Sequence, residues 1–155
     1  MNKTVLVPLA VAAAAVWTCG RNSLTDNSGP ITLSVTFPSP ARAGDTVPVT
    51  LDLTNTASAS VRFVHGGFSD RIYFDVIVTQ RDGSVVWSRL HRQTLLAAAH
   101  SRVLAPGETI ELAAEWALRD NAGTPVAAGE YRVRGVLFGI DPDLRSEAKP
   151  LVILP

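Results

Sequence analysis

The residues of this 155-residue chain that could do chemistry are few, and their spacing argues against catalysis. The histidines are His65, His91 and His100. A zinc site needs several His, Cys or carboxylate ligands at close spacing, and none of the three has a Cys or an acidic pair beside it. They read as surface or loop histidines. Ser69 and Asp70 follow His65 and could be assembled into a nucleophile, base and orienting acid. The strained Gly-x-Ser-x-Gly elbow of a hydrolase is missing, so that reading fails. Asp141, Asp143 and Glu147 offer oxygen ligands to calcium. They lack the spacing and central glycine of a calcium loop, and Pro142 stiffens the pair, so a solvated acidic turn is expected. The expectation is a protein that is not an enzyme, with no metal and no cofactor.

Charge excludes another class. Fourteen Lys and Arg balance 14 Asp and Glu, and no basic run exists, so no nucleic-acid partner is expected. The N-terminus carries a different signal. Met1-Asn2-Lys3 is a short positive start, and Thr4 to Trp17 is apolar and uncharged. A membrane-spanning helix needs about 20 apolar residues. This run is shorter and fits the core of a signal peptide. Cys19, the lone cysteine, stands directly after it and would have no internal partner in an oxidising compartment. Lipidation would consume the thiol, and Val16-Trp17-Thr18-Cys19 resembles a bacterial lipobox. Ordinary cleavage within Ala12–Ala15 is the alternative.

The expected organisation is therefore a lipoprotein-type signal peptide at 1–18, a flexible tether at 19–30 and a β domain at 31–155. The expected location is the periplasm or cell surface, with Cys19 lipidated and the membrane touched through the lipid anchor only. Gly20 stands where an Asp would retain a lipoprotein at the inner membrane, so the outer membrane is favoured. A monomer is expected.

Alternation governs the chain from residue 31 onward. Ile31, Leu33, Val35 and Phe37 share one face, and Val47, Val49, Leu51 and Leu53 share another. Ile72, Phe74, Val76 and Val78 repeat the pattern, as do Ile110, Leu112, Ala114 and Trp116, and Tyr131, Val133, Gly135 and Leu137. Period-two spacing buries one side of a strand and wets the other. Pro48 inside the second run should face outward or sit on an edge. Asp82-Gly83 marks a hairpin turn. Val61–Val64 reads as a short strand, His65–Asp70 as a loop, and Leu151–Leu154 as a closing edge strand. Trp87 and Trp116 end apolar series and should lie between the sheets. Tyr131 after Gly129 has the position of a tyrosine corner. Together these signals predict an all-β, immunoglobulin-like antiparallel β-sandwich of about seven to nine strands.

The order of these elements carries a resemblance. Phe74-Asp75-Val76-Ile77-Val78, Asp82-Gly83, Val86-Trp87, Leu104-Ala105-Pro106-Gly107-Glu108, Trp116 and Gly129-Glu130-Tyr131 succeed one another in an order that resembles the BsuPI-type intracellular proteinase inhibitor family. Gln93 and Leu95 also match an element of that family, with His91 in the place of its aromatic residue. The resemblance implies an immunoglobulin-like fold and a protein partner, with a serine protease as the target to be bound and inhibited. The alternative is a cell-envelope interaction module that inhibits nothing. Between the two Trp-ended strands lies the irregular segment Arg89 to Arg102. It is the candidate protease-contact loop, with Arg89, Leu90, Leu95, Leu96 and Arg102 as its candidate residues. The competing reading of that segment is a partly buried crossover whose leucines pack inward.

Overall fold

The computed structural model describes residues 29–68, 71–95, 99–139 and 143–155. The signal-peptide expectation, the tether up to residue 28, Cys19, Ser69-Asp70, Leu96 and Asp141 lie outside the described residues. Described strands are β1 (Ile31–Thr36), β2 (Ala41–Arg42), β3 (Val47–Asn55), β4 (Val61–Phe68), β5 (Arg71–Ile72) and β6 (Phe74–Thr79). They continue with β7 (Val85–Ser88), β8 (Ala99–Leu104), β9 (Thr109–Trp116), β10 (Gly129–Leu137), β11 (Leu144–Arg145) and β12 (Lys149–Leu154). Three of the 12 are two-residue pairings, β2, β5 and β11, which leaves nine substantial strands. The fold is the expected all-β, immunoglobulin-like sandwich.

One sheet runs β1-β3-β9 and is antiparallel throughout. Leu33 pairs with Leu53 and Val35 with Leu51, and across β3 Leu53 meets Ile110, Leu51 meets Leu112 and Val47 meets Trp116. Each of these pairs puts two apolar side chains on the same inward column. Pro48 is exposed and lies beyond the last β1 pairing, Thr36 with Thr50, so no ladder bond to β1 is lost there.

The facing sheet runs β2-β12-β10-β6-β7, with β11 beside β10. Phe74, Val76 and Val78 of β6, Tyr131, Val133 and Leu137 of β10, and Leu151 and Ile153 of β12 join the inward side chains of β1, β3 and β9 in one core. The closing strand β12 is not the outermost element. Its last residues pair in parallel with β2, Ile153 with Ala41 and Leu154 with Arg42. Such a short parallel pairing, made by a segment more than a hundred residues upstream, leaves no pattern of its own in the sequence.

A third sheet, β5-β4-β8, corrects the reading of His65–Asp70 as a loop. The strand β4 continues through His65 and Gly66 to Phe68, and His65 is buried rather than at the surface. Its ring lies 5.6 Å from that of Phe63 and 6.0 Å from that of His100. The glycines permit close backbone approach. Gly66 N donates to Phe138 O at 3.0 Å, and a Cβ on Gly139 would fall 2.1 Å from Gly66 N. That main-chain seam ties the third sheet to the end of β10.

Asn55, fully buried at the end of β3, fixes the other side of the third sheet. Its Nδ2 donates toward Ala59 O, Leu104 O and Ala105 O, and its Oδ1 accepts from Ala57 N. The turn it grips is Ala105-Pro106-Gly107-Glu108, where Glu108 N donates to Ala105 O and Gly107 has φ 73°. Proline first and a positive-φ glycine second is the type II pattern.

Candidate functional site

The edge strand β7 ends at Ser88, and the chain then curls into a turn that the buried carboxylate of Asp75 holds. Ser88 Oγ donates to Asp75 Oδ2 at 2.6 Å, and Leu90 N donates to Oδ1 at 3.1 Å. Asp75 is 5% exposed, so these bonds satisfy a charge that burial would otherwise penalise. Arg89 N donates to Val76 O, continuing the β6 ladder one residue past β7. The Arg89 guanidinium turns back over β6, lying 4.1 Å from the Phe74 ring centroid and donating to Phe74 O at 2.8 Å. Burial lowers its pKa from the ordinary guanidinium value, and the nearby charge of Asp75 opposes that shift.

Beyond this base the turn winds tightly. His91 N donates to Ser88 O and Gln93 N to Leu90 O, while Gln93 Nε2 closes back on Arg89 O. Arg92 sits at the tip with φ 59°, a left-handed conformation uncommon for a side-chain-bearing residue. His91, Arg92, Gln93 and Thr94 are exposed, and Leu90 and Leu95 are half-buried.

A second loop braces the first. Asn121 Oδ1 accepts from Ser88 N at 3.0 Å, and Asn121 N donates to Val86 O at 2.9 Å. These two bonds cover the otherwise open edge of β7. The loop is itself stiff: Asp120 Oδ1 accepts from Ala122 N and Thr124 N, and Arg119 reaches Gly123 O. Trp116 anchors it from below, its indole N–H donating to Arg119 O at 2.7 Å.

The candidate residues thus fall in different places. Arg89 and Leu90 form the base of the turn, and Leu95 is half-buried at its end. Leu96 is outside the described residues, and Arg102 is exposed on β8, opposite Phe63. The segment is not irregular throughout, because Ala99–Leu104 is a regular strand paired with β4. The anchors Asp75, Ser88 and Asn121 do not stand out in the sequence as site residues. Asp75 stands inside a recognised motif, and its partners lie 13 and 15 residues away, beyond any local spacing rule.

The aromatic assignments divide. Trp116 is 1% exposed, as expected, whereas Trp87 is only half-buried. It lies on β7, the last strand of its sheet, and no further strand among the described residues covers its outer side. Its ring stacks on Trp116 at 5.9 Å, and Trp116 meets Tyr131 edge-on at 6.1 Å. Tyr131 Oη donates to Ala127 O at 2.8 Å, four residues upstream, which is the tyrosine-corner bond. Among the described residues no group of three or more His, Cys, Asp or Glu could hold a metal ion.

Solved structures share this architecture at low identity. Spo0M, the sporulation control protein from Bacillus subtilis, is similar over 82% of this chain and 50% of its own, at 16% identity and a TM-score of 0.50. The C-terminal domain of wzt is similar over 82% of this chain and 75% of its own, at 9% identity and a TM-score of 0.47. The CARDB domain of PF1109 from Pyrococcus furiosus is similar over 81% and 94%, at 14% identity and a TM-score of 0.42. No curated protein matches the chain. The sequence pattern of BsuPI, described as an intracellular proteinase inhibitor, matches residues 35–141. That description overturns the expectation of an exported protein at the periplasm, cell surface or outer membrane. The leader pattern points outward, and the family's location is the opposite one. With the match spanning most of the chain, this protein belongs to the BsuPI family of intracellular proteinase inhibitors.

Proposed function

We propose that this chain binds and inhibits a serine proteinase through the Arg89–Leu95 turn, with Arg92 at the tip of the contact. Membership of an inhibitor family supports a protease partner and a binding role without chemistry of its own. The observation that carries the choice of surface is the double grip of buried Asp75 on Ser88 and Leu90. An inhibitory loop must be rigid before it meets its target, because loop entropy lost on binding subtracts from affinity. Small inhibitors commonly obtain that rigidity from disulfides. Here a buried carboxylate, a cation–π contact and the Asn121 brace supply it.

The shape of the turn favours one mode of inhibition. Paired bonds of the i to i+3 type and a left-handed Arg92 make a compact knob rather than an extended strand. A protease would meet it as a surface and would not receive an extended peptide bond for cleavage. Leu90 and Leu95 are half-buried at the base and the end of the knob, and the exposed cation of Arg92 suits a trypsin-like acidic pocket. Titration of the full chain against trypsin-like and subtilisin-like proteases tests the reading. Stoichiometric inhibition that is retained after long incubation, with no cleavage between Arg89 and Leu95, is expected. No inhibition of any serine protease at micromolar concentration would overturn it.

A further inference from the structure

The outer face of the sheet β2-β12-β10-β6-β7 carries a groove of about 340 Å³ at the β6–β7 hairpin end. Ile77, Thr79 and Val85 form part of its floor, and Arg81, Arg132, Arg134 and Arg145 line it. The Arg89–Leu95 turn lies past the opposite end of β7, so the groove is a separate surface. Two of the arginines are already engaged. Arg81 pairs with Glu130, and Arg145 stands 3.8 Å from Asp143.

Arg132 and Arg134 differ. They are adjacent on the outer face of β10, and neither has a hydrogen-bond or ion-pair partner among the described residues. Their cross-strand neighbours carry no charge: Arg132 faces Thr79 and Pro150, and Arg134 faces Ile77. Two like charges two residues apart on a strand stand about 7 Å from each other and repel. Glu130 stands at the same spacing from Arg132 on its other side, but it is already paired with Arg81. An alternating acidic strand carries carboxylates at the same spacing, and Arg forks bind carboxylates bidentately.

We propose that this groove binds an acidic, extended segment of a partner protein, whose alternate carboxylates engage Arg132 and Arg134 while its backbone lies over Ile77 and Val85. Two other occupants fit less well. Nucleic acid is disfavoured because the chain as a whole has no excess of positive charge. A second copy could offer the acidic column Asp52–Glu111 of the opposite sheet. Such a head-to-tail contact leaves one groove and one acidic face open at every step and would build open chains.

The test uses the full chain and a short fluorescent peptide that alternates glutamate and threonine, followed by anisotropy as salt is raised. Binding that weakens with salt is expected. It should fall about tenfold or more in the Arg132→Gln/Arg134→Gln variant and stay unchanged in an Arg42→Gln/Arg62→Gln variant of equal charge. An unchanged thermal midpoint in both variants separates loss of binding from loss of fold. Absence of peptide binding in low salt, or equal loss in both variants, overturns the proposal. So does tighter binding of a single-stranded oligonucleotide, or concentration-dependent assembly of the wild-type chain that the first variant abolishes.

Discussion

Leu51 occupies the space that a side chain at Gly135 would need. A Cβ on Gly135 would stand 2.5 Å from Leu51 Cδ2 and 2.8 Å from Cδ1, and Leu51 is fully buried with nowhere to retreat. This is where the two sheets of the sandwich press close together, β3 against β10. Gly135→Ala should therefore destabilise the domain by about 1–3 kcal/mol through overpacking. Leu51→Val should recover part of that loss in the double variant, giving a measurable coupling in a double-mutant cycle. Purely additive denaturation midpoints would show that the contact is not the cause.

The two core tryptophans should separate in the same kind of denaturation experiment. Trp116 is enclosed, hydrogen-bonded to Arg119 O and in ring contact with both Trp87 and Tyr131. Trp116→Ala should cost about 3–5 kcal/mol. Trp87→Ala should cost clearly less, because half-burial leaves less area to lose. Equal losses in urea denaturation would mean that Trp87 is better covered than its exposure indicates.

Asp82 gives a pH signature at the β6–β7 hairpin. Hydrogen bonds from the Ser84 hydroxyl, and then from Ser84 N, hold its carboxyl below the ordinary 3.8. A carboxylate whose folded pKa is depressed adds stability that is present above the unfolded value and lost as pH falls through the folded one. Ser84→Ala should move the Asp82 titration midpoint back up, as read by NMR of the side-chain carboxyl. No change on removing that hydroxyl would contradict the assigned cause.

The strands whose pattern is clearest in the sequence are those with one wet face and one dry face. β1, β3, β9 and β10 alternate because the sandwich buries every second residue, so period two exposes them directly. β4 escapes that rule past Val64. His65, Gly66 and Gly67 read as loop residues, yet Gly67 serves there because the backbone runs close to its neighbours. At Gly67 a Cβ would lie 2.0 Å from Arg71 O. Composition reports a glycine's freedom but not the neighbour that requires it. The site is legible in the same partial way. The segment after Trp87 stands out as irregular between two clear strands, but its anchor cannot be read. Asp75 acts through contacts that exist only once β6 and β7 have paired.

The anchor and the tip of the turn make separable predictions about inhibition. Asp75→Ala removes the acceptor for Leu90 N and for the Ser88 hydroxyl, leaving polar groups without partners. It should cost about 1–3 kcal/mol in stability for each donor left buried. Inhibition should fall further than that loss explains, since the turn would no longer be held before binding. Arg92→Ala touches no described hydrogen bond of the Arg92 side chain and leaves the base intact, so the thermal midpoint should barely move. If Arg92 fills a protease pocket, the inhibition constant should weaken by at least about 2 kcal/mol, the usual size of an interface hot spot. Gly at the same position would also relieve the left-handed backbone, so Arg92→Gly should be slightly more stable than Arg92→Ala and equally poor as an inhibitor. Full inhibition by both Arg92 variants, together with its loss in Asp75→Ala, would move the contact to the flanking residues His91 and Thr94. Full inhibition by all three would remove the turn from the interface.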